Sequence, residues 1–327
     1  MKIFLSFFKL FPPEVSHAIA LNSLKLLHKI KFLNIFFSKV KNNNYQLLGL
    51  EFNNRLGTAA GLDKNGDFID CLGDLGFGFL EVGTVTPLPQ PGNPKPRVFR
   101  LFEENAVINR LGFNNKGVDY LVKNLQRRKY KGIVGVNIGA NKNSKGQQRI
   151  DDYIKCFNKV AKYSDYITIN ISSPNTPGLR NLHDEENIKN LIDSIEHRAI
   201  ALEFTKPIFI KISPDESMEI VKVIAAYIQS SKLSGLIVSN TTINKDMLKN
   251  IKFKDYDGGL SGSPLMKRST ELLNSINNEY PDLPIIGVGG VMNKEDFNKK
   301  LESGASLVQL YTGFIIHGPK IVKNILN

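Results

Sequence analysis

The residues best equipped for chemistry recur at one kind of place, directly after a short apolar run. The chain reads Ala60-Gly61-Leu62-Asp63-Lys64, Gly83-Thr84-Val85-Thr86, Asn137-Ile138-Gly139-Ala140-Asn141 and Asn170-Ile171-Ser172-Ser173-Pro174-Asn175 at four such places. It continues with Lys211-Ile212-Ser213-Pro214, Ser239-Asn240-Thr241-Thr242, Gly289-Gly290 and Tyr311-Thr312-Gly313. Turn chemistry alone supplies glycine and asparagine, but not lysines or repeated hydroxyls. Lys64 and Lys211 suit an anion anchor, an electrostatic stabiliser or a Schiff base. The amides of Asn109, Asn114, Asn137, Asn170, Asn175 and Asn240 each offer donors and an acceptor, which suits a planar ligand carrying amide and carboxylate groups. Gly289 and Gly290, with Gly262 in a Gly-Gly-Leu-Ser-Gly loop, are candidates for a phosphate cradle of backbone N–H groups. Ser173 is the most suggestive proton acceptor, although serine needs a positioned acceptor or water chain behind it. None of the histidines His17, His28, His183, His197 and His317 follows a strand-like run, and Cys71 and Cys156 read as packing residues in helices. A metal site is not expected from this pattern.

Those apolar runs are the elements that must position the polar groups. Residues 56–60, 78–84, 132–137, 166–171, 207–212, 235–239, 284–288 and 306–310 read as strands buried on both faces. Helical patterns over 116–128, 150–162, 185–203, 216–231, 264–280, 293–302 and 318–326 alternate with them. Eight such units in about 270 residues predict a (β/α)₈ barrel, whose active sites lie at the C-terminal strand ends. A doubly wound open sheet is the competing α/β architecture, but no G-x-G-x-x-G follows the first strand. A hydrophobic share of 42% and a charged share of 23% are those of a folded domain and exclude collagen, a disordered acidic chain and a disulfide scaffold. Two cysteines fit a reducing compartment.

The net charge of +12 is unevenly spread. Residues 1–45 hold seven lysines against Glu14 alone, half of the excess, interleaved with phenylalanine and leucine. Such a segment reads either as an interfacial amphipathic helix pair, broken at Pro12-Pro13, or as a core-packing pair with solvated lysines. No run of 18 apolar residues favours a spanning helix, and no small-residue cleavage site follows Ile3–Phe11. The expected division is an N-terminal helical segment, 1–44, and a barrel, 45–327.

AAGLDKNG (59–66), EVGTVTPLPQPGNPKPRVFRL (81–101), INRLGFNNKGVD (108–119), VNIGANK (136–142), NISSPNTPGLR (170–180), SNTT (239–242), GGLSGSPL (258–265), IIGVGGV (285–291) and SLVQLYTGF (306–314) stand in this order. Together with the N-terminal extension they resemble the quinone-dependent (class 2) dihydroorotate dehydrogenase family. The resemblance implies an FMN-containing barrel. It implies FMN contacts from Ala60, Gly61, Leu62, Asp63, Lys64, Thr84, Asn137, Asn170, Lys211, Ser239, Gly262, Gly289, Tyr311 and Thr312. It implies that Lys64, Asn109, Arg110, Leu111, Gly112, Phe113, Asn170, Asn175, Asn240 and Thr241 hold dihydroorotate or orotate. Ser173 would take the C5 proton while a hydride leaves C6, and His17 and Arg100 would line the path of a membrane quinone. Ser173 stands where class 1 enzymes carry cysteine. Ser263, where many relatives carry a basic residue, and Ser239, where threonine is frequent, are local departures. The resemblance further implies a role in pyrimidine biosynthesis and a monomer held peripherally on the cytoplasmic face of the membrane by residues 1–44, with no nucleic-acid partner. Competing classes are a barrel using fumarate or NAD, a dihydrouridine synthase acting on RNA, and a non-enzymatic ligand-binding barrel.

Overall fold

Helix α1 (Pro13–Lys29) starts with a proline at its first position, where the missing N–H is no loss. The computed structural model describes residues 10–33, 40, 42–172 and 185–327. The stretch before Leu10 therefore lies outside the described residues, as do Ser173, Asn175 and His183.

Strands β1 (Tyr45–Leu47) and β2 (Leu50–Phe52) pair antiparallel around Leu48-Gly49, both at positive φ, as a two-residue hairpin turn requires. Then follow β3 (Leu56–Thr58), α2 (Ile69–Gly73), β4 (Phe79–Val85), β5 (Val98–Leu101), β6 (Ala106–Asn109), α3 (Val118–Arg127), β7 (Ile133–Ile138), α4 (Gln147–Val160) and β8 (Tyr166–Asn170). The chain continues through α5 (Glu185–Ala201), β9 (Ile208–Ile212), α6 (Met218–Ser230), β10 (Gly235–Val238), β11 (Gly259–Gly262) and α7 (Met266–Glu279). It ends with β12 (Ile285–Val288), α8 (Lys294–Glu302), β13 (Leu307–Leu310), α9 (Thr312–His317) and α10 (Lys320–Leu326).

Strands β3, β4, β7, β8, β9, β10, β12 and β13 form a closed parallel barrel, with β13 pairing back onto β3. Every residue of β4, β8 and β9 is buried, which is why apolar residues occupy both faces of these strands instead of alternating with solvated polar ones. The outer helices turn single apolar stripes inward: Val118, Leu121 and Leu125 of α3 are buried at helical spacing. Ser217 and Asn293 cap α6 and α8 by accepting the N–H groups of Ile220 and Asp296. Inside the barrel, Phe79, Tyr166 and Phe209 stack edge to face, and Phe52 of the β1–β2 hairpin meets Phe79 at 5.5 Å to plug the N-terminal end.

The expected barrel is therefore the observed one, and each of its eight strands overlaps an expected strand. Two features differ. The Gly-Gly-Leu-Ser-Gly stretch, read as a loop, contains strand β11, and β5–β6–β11 form an antiparallel sheet. That sheet joins the excursion after β4 to the excursion after β10, so its pairing, Gly259 with Asn109, spans 150 residues and leaves no local signature. The short helix α9 is likewise an addition to the expected set, while α2 is the helix expected to hold Cys71.

Candidate active site

At the C-terminal ends of the barrel strands lies a cavity of about 980 Å³ of atom-free space, its open mouth included. Ala60, Gly61 and Lys64 enter it after β3, Thr84 from β4, Asn170 from β8 and Lys211 from β9. Ser239, Asn240 and Thr241 follow β10, Gly289 follows β12, and Tyr311 and Thr312 follow β13. The β5–β6–β11 sheet roofs it through Asn109 and Gly262, with Leu111, Gly112 and Phe113 from the loop after β6.

Thr84 Oγ1 donates to Asn137 Oδ1 at 2.6 Å, and Asn170 Nδ2 donates to Thr84 Oγ1 at 3.0 Å. Asn137 Nδ2 in turn donates to Glu81 Oε1 at 2.9 Å. The buried Glu81 carboxylate also accepts from Tyr166 and Gln309, at 2.9 and 2.7 Å, and from Thr168. A carboxylate this deep is tolerable only with such a set of donors. Asn137 is thus a support beneath the floor rather than part of the cavity lining. Asn240 Nδ2 donates to the Ser172 hydroxyl at 3.0 Å, which ties the β10 end to the residue before Ser173.

The roof loop is fastened by side-chain amides that donate to its backbone carbonyls. Gln90 Nε2 donates to the Gly112 and Phe113 carbonyls, both at 3.2 Å, and Asn115 Nδ2 donates to Phe113 O at 2.7 Å. Gly112 has φ +68°, and a Cβ there would stand 2.8 Å from the Asn93 amide, so this turn requires glycine. Arg110 turns away from the cavity, donating to Pro96 O and pairing with Asp257. Leu62 and Asp63 also stay out of the lining. Asp63 instead accepts the Asp67 and Phe68 N–H groups at 2.9 and 2.8 Å, and burial raises its carboxyl to about 6.

Lys211 is buried and faces the cavity without a hydrogen bond from its ammonium to any described residue; burial lowers it, partly offset by Glu81. Burial brings Lys64 down to about 8, against the opposing pull of Glu14, and its Nζ donates to Gly61 O at 3.2 Å. Two buried oxygens that face the cavity, Thr241 Oγ1 and Gln309 Oε1, lack a partner among the described residues. Gly289 and Gly290 lie at φ +108° and +87°, and a Cβ at Gly290 would sit 2.3 Å from Met266 Cα. A buried cation, two orphaned oxygens and a glycine turn whose backbone can approach a ligand fit a large planar group with a phosphate, as a flavin mononucleotide is.

Sequence reasoning passed over Gln309 and Glu81 as site residues. Their signal was available, since each is a polar residue inside an otherwise apolar buried strand, Leu-Val-Gln-Leu and Phe-Leu-Glu-Val-Gly-Thr-Val.

A second cavity, about 2610 Å³ with its mouth included, opens between α1 and the barrel. Leu21, Leu24, Val98, Phe102, Phe314 and Ile315 give it an apolar wall, and His17 and Arg100 lie on it. Arg100 donates to Phe11 O at 2.5 Å and to Ser16 Oγ at 3.2 Å. His17 Nε2 lies 3.0 Å from Leu62 O; a carbonyl only accepts, so Nε2 carries the proton and Nδ1 is left as an acceptor. Burial, with the nearby Lys64 charge, lowers His17 to about 4, so it is neutral at physiological pH. Glu14 pairs with Arg97 at 2.8 Å and holds α1 over the roof strand β5. The two cavities share Lys64, Leu111 and Tyr311 as lining.

Barrel, roof and paired cavities define a (β/α)₈-barrel enzyme. The profile of the dihydroorotate dehydrogenase family matches residues 43–327, and the chain belongs to that family. It is 48% identical over 314 residues to a dihydroorotate dehydrogenase (quinone) of Saccharophagus degradans, covering 94% of this chain and 93% of that one. The dihydroorotate dehydrogenase (quinone) of Psychromonas ingrahamii is 44% identical, with 100% and 98% of the two chains covered. Among solved structures, the Eimeria tenella enzyme crystallised in complex with ferulenol superposes with a TM-score of 0.84 at 33% identity, covering 95% of this chain and 89% of that one.

Proposed function

We propose that this oxidoreductase converts dihydroorotate to orotate in the barrel-mouth cavity, with FMN as resident cofactor, and reduces a membrane quinone in the cavity beneath α1. The observation that carries this reading is that the two cavities meet at Lys64, Leu111 and Tyr311. A substrate site and an apolar acceptor site are thereby set against opposite sides of one wall.

FMN bound in the mouth would supply a two-electron acceptor for the hydride leaving C6 of dihydroorotate. The residues to hold it are Thr84, Asn170, Lys211, Ser239, Gly262, Gly289, Tyr311 and Thr312, with Ala60 and Gly61 along its edge. Lys211 offers a fixed positive charge where negative charge would develop. Lys64, Asn240, Thr241 and the Asn109–Phe113 loop would orient the substrate, the lysine on its carboxylate and the amides on its ring. Ser173 and Asn175 complete the set as proton acceptor at C5 and ring ligand.

The apolar cavity suits a quinone head with an isoprenoid tail, and His17 and Arg100 supply its polar points. Val15, Ile19 and Leu26 of α1, with Ile30 at its C-cap, are exposed along a narrow stripe, which gives this helix a face for a lipid surface. Among the described residues no helix is long and apolar enough to cross a membrane.

The test is spectroscopic. The purified protein should be yellow, bleach on anaerobic addition of dihydroorotate, and recolour with a quinone but not with fumarate or NAD. A colourless protein, or recolouring by fumarate or NAD, would reject the reading. Deleting residues 1–42 should leave the colour and the bleaching while removing turnover with a long-tailed quinone.

A further inference from the structure

Lys300 is a lysine inside the protein that no part of the proposed reaction uses. It lies on α8, fully buried, and forms no ion pair within 4 Å among the described residues. Its Nζ makes one hydrogen bond, to Ser269 Oγ on α7 at 2.7 Å. Asp296, one turn earlier on the same helix, favours its charged form without forming an ion pair with it, and accepts the Met292 N–H at 2.9 Å. Burial brings Lys300 down to about 7, with only the Asp296 charge opposing it, so a further anion close by would be needed to hold it fully charged.

Its surroundings point to where that anion belongs. Ser269 Oγ accepts from Lys300 and lies 2.9 Å from Leu265 O and 3.1 Å from Gly289 O, so its one proton goes to a carbonyl at the entrance to α7 or in the glycine turn. Ser269 also sits directly beneath Gly289, where an added Cβ would stand 3.0 Å from its Oγ. The lysine stem passes β12 at Gly287, where a Cβ would come within 3.4 Å of Lys300 Cδ. Gly289 and Gly290, both at positive φ, line the mouth cavity with Val291, and Leu265 lines it beside Gly289, where an added Cβ would stand 3.1 Å from Leu265 Cδ2.

We propose that Lys300 is a positioning residue for the phosphate end of the flavin: through Ser269 it braces the Gly289–Gly290 turn and places a positive charge behind the backbone that receives the phosphate. This rests on the flavin-mononucleotide reading of the mouth cavity. It assigns Lys300 no contact with the reacting atoms. A lysine that merely fills space between α7, α8 and β12 would affect every flavin alike, whereas a charge behind the phosphate cradle discriminates by the phosphate.

The experiment compares FMN with riboflavin, which lacks the phosphate. Full-length protein is stripped of flavin, and each flavin is titrated back by fluorescence quenching. Lys300→Met, which keeps the stem and removes the charge, should weaken FMN binding by about tenfold or more, as expected of a lost charge-assisted interaction, with riboflavin changed less than about threefold. Ser269→Ala, a small change that keeps the helix packing, should weaken FMN in the same selective way, so the inference stays testable if the lysine variant fails to fold. Equal losses for both flavins, or no loss for FMN, would overturn it. Wild-type protein that binds FMN no more tightly than riboflavin would overturn the phosphate-cradle reading itself, a failure visible before any variant is made.

Discussion

Proton removal and anion binding fall to single side chains. Ser173 lies outside the described residues, but its neighbour Ser172 is held by Asn240 and Asn170 at the end of β8. A positioned base contributes about 10² to 10⁴ in rate. Ser173→Ala should therefore slow single-turnover flavin reduction by dihydroorotate by roughly that factor and leave the protein yellow. Unchanged stopped-flow bleaching would remove Ser173 from its role. Lys64 gives a prediction with a sign. Burial holds it at about 8, well below an ordinary lysine, and only its charged form attracts a carboxylate. Orotate affinity should be constant below that value and fall as pH rises through it, with the dissociation constant approaching a tenfold rise per pH unit. Lys64→Ala should bind orotate weakly at every pH and lose this break. A titration by flavin absorbance separates the two, and a break retained in the variant would assign it to another group.

At the scale of elements, the polar contacts that attach α1 to the barrel among the described residues include Glu14 with Arg97, Ser16 with Arg100, Lys25 with Asp67 O, His28 with Asp74, and His17 with Leu62 O. His17 makes this docking sensitive to acid. Its value in the folded protein, about 4, lies below the ordinary 6.5, so the docked state has its full stability above 6.5 and loses it as pH falls toward 4. The loss amounts to roughly 3 kcal/mol at most. His17→Gln, which can still donate to Leu62 O but does not titrate, should flatten that part of the profile. Hydrogen exchange of α1 amides between pH 7 and 5 would measure it, and equal acid sensitivity in both proteins would clear His17. None of these contacts was legible in the sequence, because Glu14 and Arg97 meet across 83 residues without any local pattern. The barrel strands were legible for the opposite reason. A strand buried on both faces must be a short apolar run, and Ile208–Ile212 or Ile285–Val288 can be little else. The strand-end residues were readable with them, since Lys211 or Asn170 directly after such a run has few structural excuses. Lys300 was not, because Lys-Glu-Asp-Phe-Asn-Lys-Lys-Leu-Glu reads as a solvated helix until packing turns one lysine inward.

At the scale of the whole molecule, excess charge and exposed apolar residues are concentrated in the N-terminal segment relative to its length. Residues 1–45 hold half of the +12, and the exposed apolar residues Val15, Ile19, Leu26, Ile30 and Phe32 belong to the same segment. The barrel that remains carries a modest excess, in keeping with two anionic ligands rather than a polyanion. The exposed lysines Lys29 and Lys31 stand beside Ile30 and Phe32, so apolar insertion and electrostatic attraction would act on one patch. Each lysine near an anionic surface contributes about 1 kcal/mol, and the effect dies within a Debye length. The double substitution Lys29→Gln with Lys31→Gln should weaken binding to phosphatidylserine-containing vesicles by roughly 2 kcal/mol, about thirtyfold. Binding to neutral phosphatidylcholine vesicles should barely change. Raising the salt to 0.5 M should bring wild type down toward the variant. Leu26→Ser with Ile30→Ser should instead weaken both vesicle types and leave the salt dependence intact. Vesicle cosedimentation reads all four arms. If the lysine pair had no effect on anionic vesicles, the concentration of charge at this end would be a matter of solubility, and the apolar stripe alone would carry the membrane contact.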